Sequence, residues 1–240
     1  MPEIIFNGPD GRLEGRYVDS FHKENNEFAN APVALILHPH PLHGGTMNNK
    51  VVYRLYQTFA RCGFSVFRFN FRGVGRSQGE YDHGVGELSD AAAALDWLQR
   101  QNQTASGCWV AGFSFGAWIA LQLLMRRPEI KRFIAVAPPA VNMDFSFLSP
   151  CPASGLVVQG TQDAVVKEAD VRKLSEKMRS QPIHTDYRTI EGADHFFKEK
   201  GEEFDAEIEA YVRGVLAEEN LSFDGDAAGD KRRRMVMKNS

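Results

Sequence analysis

The sequence predicts an α/β fold: a mainly parallel twisted sheet, an antiparallel hairpin at its amino-terminal end, and helices on both faces. Three observations predict it. Continuous apolar runs such as Val33 to Leu37 have the character of strands buried on both sides. These runs alternate with segments of helical periodicity, the pattern of a parallel sheet covered by helices. The chain also opens on two strand-like runs, residues 3–6 and 13–18, flanking Asn7-Gly8-Pro9-Asp10-Gly11, which is a hairpin signature.

Residues 19–32 are polar and read as a loop ahead of the strand Val33 to Leu37. The stretch His38-Pro39-His40-Pro41-Leu42-His43-Gly44-Gly45 is too rich in proline and glycine for regular structure. Asn48 to Cys62 is helical, with Val51, Val52, Leu55 and Phe59 on one side, and Gly63 ends it. Phe64 to Phe69 is a strand, Asn70 to Gly79 a tight glycine-bearing loop, and Glu87 to Arg100 a helix with Leu88, Ala91, Leu95 and Leu98 on its apolar face. Strands follow at Cys108 to Ala111, Lys131 to Ala137, Gly155 to Gln159 and His184 to Ile190. Helices follow at Ala117 to Met125, Lys167 to Arg179 and Lys198 to Leu216. Residues 1–217 form one domain. Residues 218–240 turn acidic and then basic, offer little to bury, and read as a mobile charged tail. A basic hook for nucleic acid or acidic lipid is the alternative there, against which a single short charged run is usually a solvated tail.

A chain of 240 residues, 43% hydrophobic and 25% charged, is long enough for one well-filled α/β core. A net charge of −3 provides no field for nucleic acid or an acidic membrane, so neither is expected as a partner. Three scattered cysteines show no zinc spacing and no disulfide framework. No signal peptide and no run of some 18 apolar residues is seen, and the expected location is cytoplasmic.

The chemistry centres on Gly112-Phe113-Ser114-Phe115-Gly116, a G-x-S-x-G pattern between a strand and a helix. That context makes it a nucleophile elbow rather than a serine in an ordinary loop. The turn holds Ser114 in a strained conformation over the carboxyl edge of the sheet, above a helix N-terminus that favours developing negative charge. A serine hydroxyl needs a base, and on such a sheet the partners follow in the order Ser, Asp or Glu, His, each just past a strand. Asp163 lies in the turn after Gly155 to Gln159, and His195 in the loop after His184 to Ile190. Asp163 would fix the tautomer of His195, with Asp144 as the competing acid. His184 begins its strand, at the wrong edge, and Asp194 faces solvent or caps the next helix.

An oxyanion hole needs backbone N–H donors, and Phe115 provides the first. In Pro39-His40-Pro41 only His40 has an N–H, so His40 is the second, with Leu42 in reserve. His38, His40 and His43 invite a metal reading, but no nearby carboxylate or helix gathers them, and no metal or cofactor is expected. His38 and His43 read as structural. The loop Asn70 to Ser77 fails the dinucleotide spacing and is read as a tight loop in which Arg72 ties its neighbours. Pocket candidates are Leu42, Met143, Phe145 and Phe196. Only residues 138–154 are placed to form a cover, so the site is expected to be open and suited to small or short-acyl esters.

These motifs, with Phe69-Asn70-Phe71-Arg72-Gly73-Val74-Gly75-Arg76-Ser77, Gly160 to Asp163 and Gly192 to His195, resemble those of the α/β-hydrolase superfamily over about residues 1–217. More narrowly, the chain is similar to small, cap-poor bacterial hydrolases related to dienelactone hydrolases. The elbow of dienelactone hydrolases proper carries cysteine where this chain has Ser114. The resemblance implies a carboxylic-ester hydrolase using Ser114, Asp163 and His195 through an acyl-enzyme, acting on a small-molecule ester. Thioester, lactone and amide substrates and a homo-oligomeric assembly stay open. The alternative is a non-catalytic member of the fold that binds a ligand or a partner, which would have no need of Asp163 and His195.

Overall fold

The computed structural model describes residues 3–20 and 30–236, with side chains described to residue 219. The remaining residues of the expected loop at 19–32 lie outside it, as do the side chains of most of the charged tail. Eight strands form one sheet in the order β1-β2-β4-β3-β5-β6-β7-β8. They are β1 (Glu3–Gly8), β2 (Gly11–Val18), β3 (Val33–Leu37), β4 (Ser65–Phe69), β5 (Cys108–Phe113), β6 (Ile130–Val136), β7 (Ser154–Gly160) and β8 (Thr185–Ile190). β1 pairs with β2, and β2 with β4, antiparallel; every other pairing is parallel. The hairpin and the parallel sheet are those expected from the alternation in sequence.

The helices are α1 (Lys50–Arg61), α2 (Val85–Gln101), α3 (Phe115–Leu124), α4 (Glu168–Arg179) and α5 (Gly201–Val236). α1 and α5 pack on one face of the sheet, where Val52, Phe59, Phe204 and Ile208 meet Ala34, Ile36, Trp109 and Val158. α2, α3 and α4 cover the other, where Leu95, Ile119, Leu123 and Val171 meet Val33, Leu35, Val110 and Val157. The split follows from strand pleat: successive side chains of β3 point to opposite faces, and all are buried.

Helix ends shift by a few residues from the sequence reading, and at α2 and α5 the cause is visible. α2 starts at Val85 rather than Glu87 because the Glu87 carboxylate, fully buried, reaches back to accept the N–H groups of Asp82 and Gly84. α5 continues past Leu216, where composition alone suggested an end; no proline follows to stop it. Parallel strands all leave their connections at one edge of a sheet, so the loops after β3 to β8 gather on one face of the molecule. That face carries the site.

Candidate active site

Ser114 stands at the junction of β5 and α3 with φ 55 and ψ −119. A non-glycine residue at positive φ costs roughly 1–3 kcal/mol and needs surrounding structure to enforce it. That structure is visible. The Ser114 N–H donates to the Val136 carbonyl at 2.8 Å, and the Ser114 carbonyl accepts the N–H of Ala117 at 2.9 Å. The flanking glycines are required by contact rather than by φ. A Cβ on Gly112 would lie 2.2 Å from the Gly116 carbonyl oxygen, and one on Gly116 would lie 2.4 Å from that of Leu37. Strand β5, helix α3 and the end of β3 therefore approach one another as closely as backbone allows.

The connections after β7 and β8 are stitched together before they present any side chain. Thr161 N–H donates to the Ile190 carbonyl at 3.1 Å, Gln162 N–H to the Ala193 carbonyl at 3.0 Å, and Gly192 N–H to Thr161 Oγ1 at 2.8 Å. This brings Asp163 and His195 together: His195 Nδ1 and Asp163 Oδ2 are 2.7 Å apart, with both side chains almost fully buried. The other carboxylate oxygen accepts the N–H groups of Val165 and Val166, each at 2.8 Å. Burial on its own would raise the Asp163 carboxyl; the hydrogen bonds from His195, Val166 and Val165 outweigh it and hold the group below the usual carboxylate range. An ionised Asp163 makes Nδ1 of His195 the donor and leaves Nε2 to accept. The imidazole packs against the Phe113 ring with centroids 4.8 Å apart.

Gln159, which the sequence reading did not single out, completes this arrangement. It is fully buried at the end of β7. Its Nε2 donates to Asp163 Oδ2 at 3.0 Å and to the Val166 carbonyl at 2.9 Å. A lone amide at the end of the apolar run Gly155 to Gln159, four residues before the acid, was the available signal.

Ser114 and His195 line one cavity of about 530 Å³, within the usual range of about 300–1,000 Å³ for small-molecule sites. His40, Phe115, Met143 and Phe196 line it too, as sequence reasoning expected of a site. So does His43, which had been read as structural. Asn49, Asn142, Val165 and Val166 were not anticipated there. Leu42 and Phe145 are elsewhere. Leu42 is exposed on the short 3-10 turn Pro41–His43, and its N–H is taken by His40 Nδ1 at 3.2 Å. Phe145, on the connection after β6, is buried in the core. Loop side chains have no periodicity to show which way they point, and that is why these two were misplaced. The N–H of Phe115 is the first of α3, and neither it nor the N–H of His40 has a protein acceptor among the described residues. Both belong to residues on the cavity wall. Asp144 is exposed, and both its carboxylate oxygens are engaged by Ser146. Asp194 accepts the N–H groups of Phe196 and Lys198, an intraloop brace.

The model of the X-Pro dipeptidyl-peptidase (S15) family matches residues 27–146, which take in Ser114. A protein of unknown function from Agrobacterium tumefaciens, classed provisionally as an α/β hydrolase, has a crystal structure 56% identical in sequence. It covers 91% of this chain and 98% of its own, at a TM-score of 0.85. An α/β serine hydrolase without lid from Xanthomonas campestris is 33% identical, with 89% and 94% coverage and a TM-score of 0.79. The chain belongs to the α/β-hydrolase superfamily. An uncharacterised protein of Rickettsia prowazekii (strain Madrid E) is 53% identical over 217 residues, 88% of this chain and 89% of that one.

Around the site of this α/β hydrolase, two buried polar residues fix the loops. His38 Nε2 accepts the Phe71 N–H at 3.0 Å while Nδ1 lies 2.7 Å from the Pro39 carbonyl, so a neutral ring ties the connection after β3 to that after β4. Burial pushes its pKa down to about 3. Arg72 makes a forked pair with Asp90 at 2.8 and 3.0 Å, and its N–H donates to the same carboxylate, anchoring the β4 connection to α2. Among the described residues no group of three or more His, Cys, Asp or Glu is placed to hold a metal ion. No helix among them is long and apolar enough to cross a membrane.

Proposed function

We propose that this protein is a serine hydrolase that cleaves a small carboxylic ester through an acyl-enzyme. The observation that carries the reading is the pairing of His195 with the buried Asp163 on the wall of the cavity that also holds Ser114. Ser114 Oγ attacks the ester carbonyl as His195 Nε2 takes its proton. Asp163 holds the tautomer and stabilises the imidazolium. The oxyanion is held by the N–H groups of Phe115 and His40. The imidazolium protonates the leaving alkoxide, and water, deprotonated by the same ring, releases the acid.

Ester rather than peptide chemistry is favoured by the walls. A dipeptidyl-peptidase must read an N-terminal ammonium, and among the described residues the cavity lining holds no carboxylate to do so. Three free cysteines, two of them buried, support a cytoplasmic setting. The experiment is a comparison of p-nitrophenyl butyrate with an X-Pro-p-nitroanilide, using the parent and Ser114→Ala. Turnover of the ester, lost in Ser114→Ala and with the anilide inert, is the expected result. Ester turnover that survives in Ser114→Ala would sink the assignment of the nucleophile, and preferential cleavage of the anilide would sink the choice of substrate.

A further inference from the structure

Exposed apolar side chains are ordinary when scattered and informative when gathered. Among the described residues Leu42 is 67% exposed, Val85 71%, Val141 70%, Val165 60% and Phe196 41%. They come from the connections after β3, β6, β7 and β8 and, for Val85, from the first residue of α2, where the connection after β4 ends. All five connections leave the same edge of the sheet, so these side chains share one face of the molecule. The other large hydrophobics exposed to this degree, Ile5 and Tyr53, lie on β1 and on the first turn of α1. The gathering is centred on the cavity. Val165 and Phe196 line it, Leu42 lies between His40 and His43, which also line it, and Val141 shares a surface hollow with Val165. Val85 stands further out on the same face, where the β4 connection enters α2.

We propose that this rim docks on the surface of a zwitterionic lipid layer and that the enzyme draws its ester from that layer. The proposal rests on the hydrolase reading of the cavity. The position of the rim decides between occupants. A folded protein seated across it would stopper the mouth, whereas a layer of amphiphiles both covers the apolar side chains and delivers an ester into the opening. The charges on the rim choose the headgroup. Lys167 and Lys198 are exposed beside Val165 and Phe196, with Lys198 Nζ 5.8 Å from the Phe196 ring. Among the described residues Arg76 is the other exposed base on these connections, against Glu80, Asp82, Asp144, Glu191 and Glu199, so no excess of positive charge is there to draw an anionic layer. The sequence spoke against a membrane partner on net charge and on the lack of a spanning segment. Docking by an apolar rim needs neither an attractive field nor a span.

The test is partition of full-length Ser114→Ala, which cannot consume lipid, onto phosphatidylcholine vesicles in a flotation assay. The expected result is vesicle-bound protein that stays bound in 1 M NaCl. The double variant Val85→Glu/Val141→Glu lies outside the cavity walls. On the Ser114→Ala background it should bind roughly tenfold more weakly or worse. With Ser114 intact, its turnover of dissolved p-nitrophenyl acetate should stay within about twofold of the parent, which shows that it is folded. Three results would overturn the proposal: no flotation of the parent, flotation that needs anionic lipid or is abolished by salt, or equal flotation of the double variant. Flotation is read without turnover. A chain that floats but hydrolyses no ester counts against the hydrolase reading, and one that hydrolyses dissolved ester but does not float counts against the rim.

Discussion

Replacing Asp163 with asparagine changes one atom and reverses a proton. In the parent, Asp163 Oδ1 accepts from the N–H groups of Val165 and Val166, both at 2.8 Å, and Oδ2 from His195 at 2.7 Å and Gln159 at 3.0 Å. Asparagine has one acceptor oxygen and one NH2 to divide between these two pairs of donors. If its oxygen faces His195, the NH2 is driven against two backbone N–H groups, leaving buried donors unpaired at about 1–3 kcal/mol each. The better placement keeps the oxygen on Val165 and Val166 and turns the NH2 to His195. His195 then carries its proton on Nε2, where it cannot accept from Ser114. In a serine-protease triad the same change costs on the order of 10⁴ in kcat, or about 5 kcal/mol of barrier. We expect a loss of that order for Asp163→Asn. The assay is kcat for p-nitrophenyl butyrate, alongside the rate of labelling by a fluorophosphonate and a melting curve to show that the fold persists. A folded Asp163→Asn within tenfold of the parent would refute the claim that this carboxylate sets the state of His195.

Three further outcomes are expected. Gln159→Leu removes one donor to Asp163 and leaves the Val166 carbonyl without its partner; kcat should fall roughly tenfold with little change in KM, and a pure KM effect would show that Gln159 shapes only the cavity. Gly116→Ala would place a Cβ 2.4 and 2.5 Å from the carbonyl oxygens of Leu37 and His38; it should cost about 3 kcal/mol or more in urea unfolding, and a neutral result would mean the elbow is looser than described. His38 has a folded pKa of about 3 against about 6.5 for an unfolded histidine. Between these values the unfolded chain binds a proton that the folded chain does not, so stability falls as pH drops through the window, by up to about 1.4 kcal/mol per unit. His38→Gln can still accept from Phe71 and donate to Pro39, and its unfolding midpoint should vary less steeply from pH 6 to 4. An unchanged slope would place the titrating group elsewhere.

The architecture was legible wherever periodicity or a local contact determined it. Val33 to Leu37 reads as a strand buried on both faces and is one, because every residue in it meets a helix on one side or the other. The glycines of the elbow announced a close approach that the backbone distances display. That the loops bearing Ser114, Asp163 and His195 are neighbours was readable from chain order and strand ends, because a parallel sheet gathers those loops at one edge. What was hidden depends on side-chain direction in irregular segments. Leu42 and Phe145 look alike in sequence, yet one is exposed and the other is core. The part played by Gln159 appears only when the β7 and β8 connections are seen stitched together. The apolar rim is the same kind of feature: Val85, Val141 and Val165 share nothing in sequence, and only the topology brings the start of α2 and the connections after β6 and β7 to one edge.

The central claim is that Ser114 is the nucleophile that His195 activates. Peptide mapping by mass spectrometry after treatment with a fluorophosphonate tests it most directly. The account predicts a single adduct on the peptide containing Ser114, none in Ser114→Ala, and greatly slowed labelling in His195→Ala. An adduct on another residue, or labelling of Ser114 at the parent rate without His195, would contradict it.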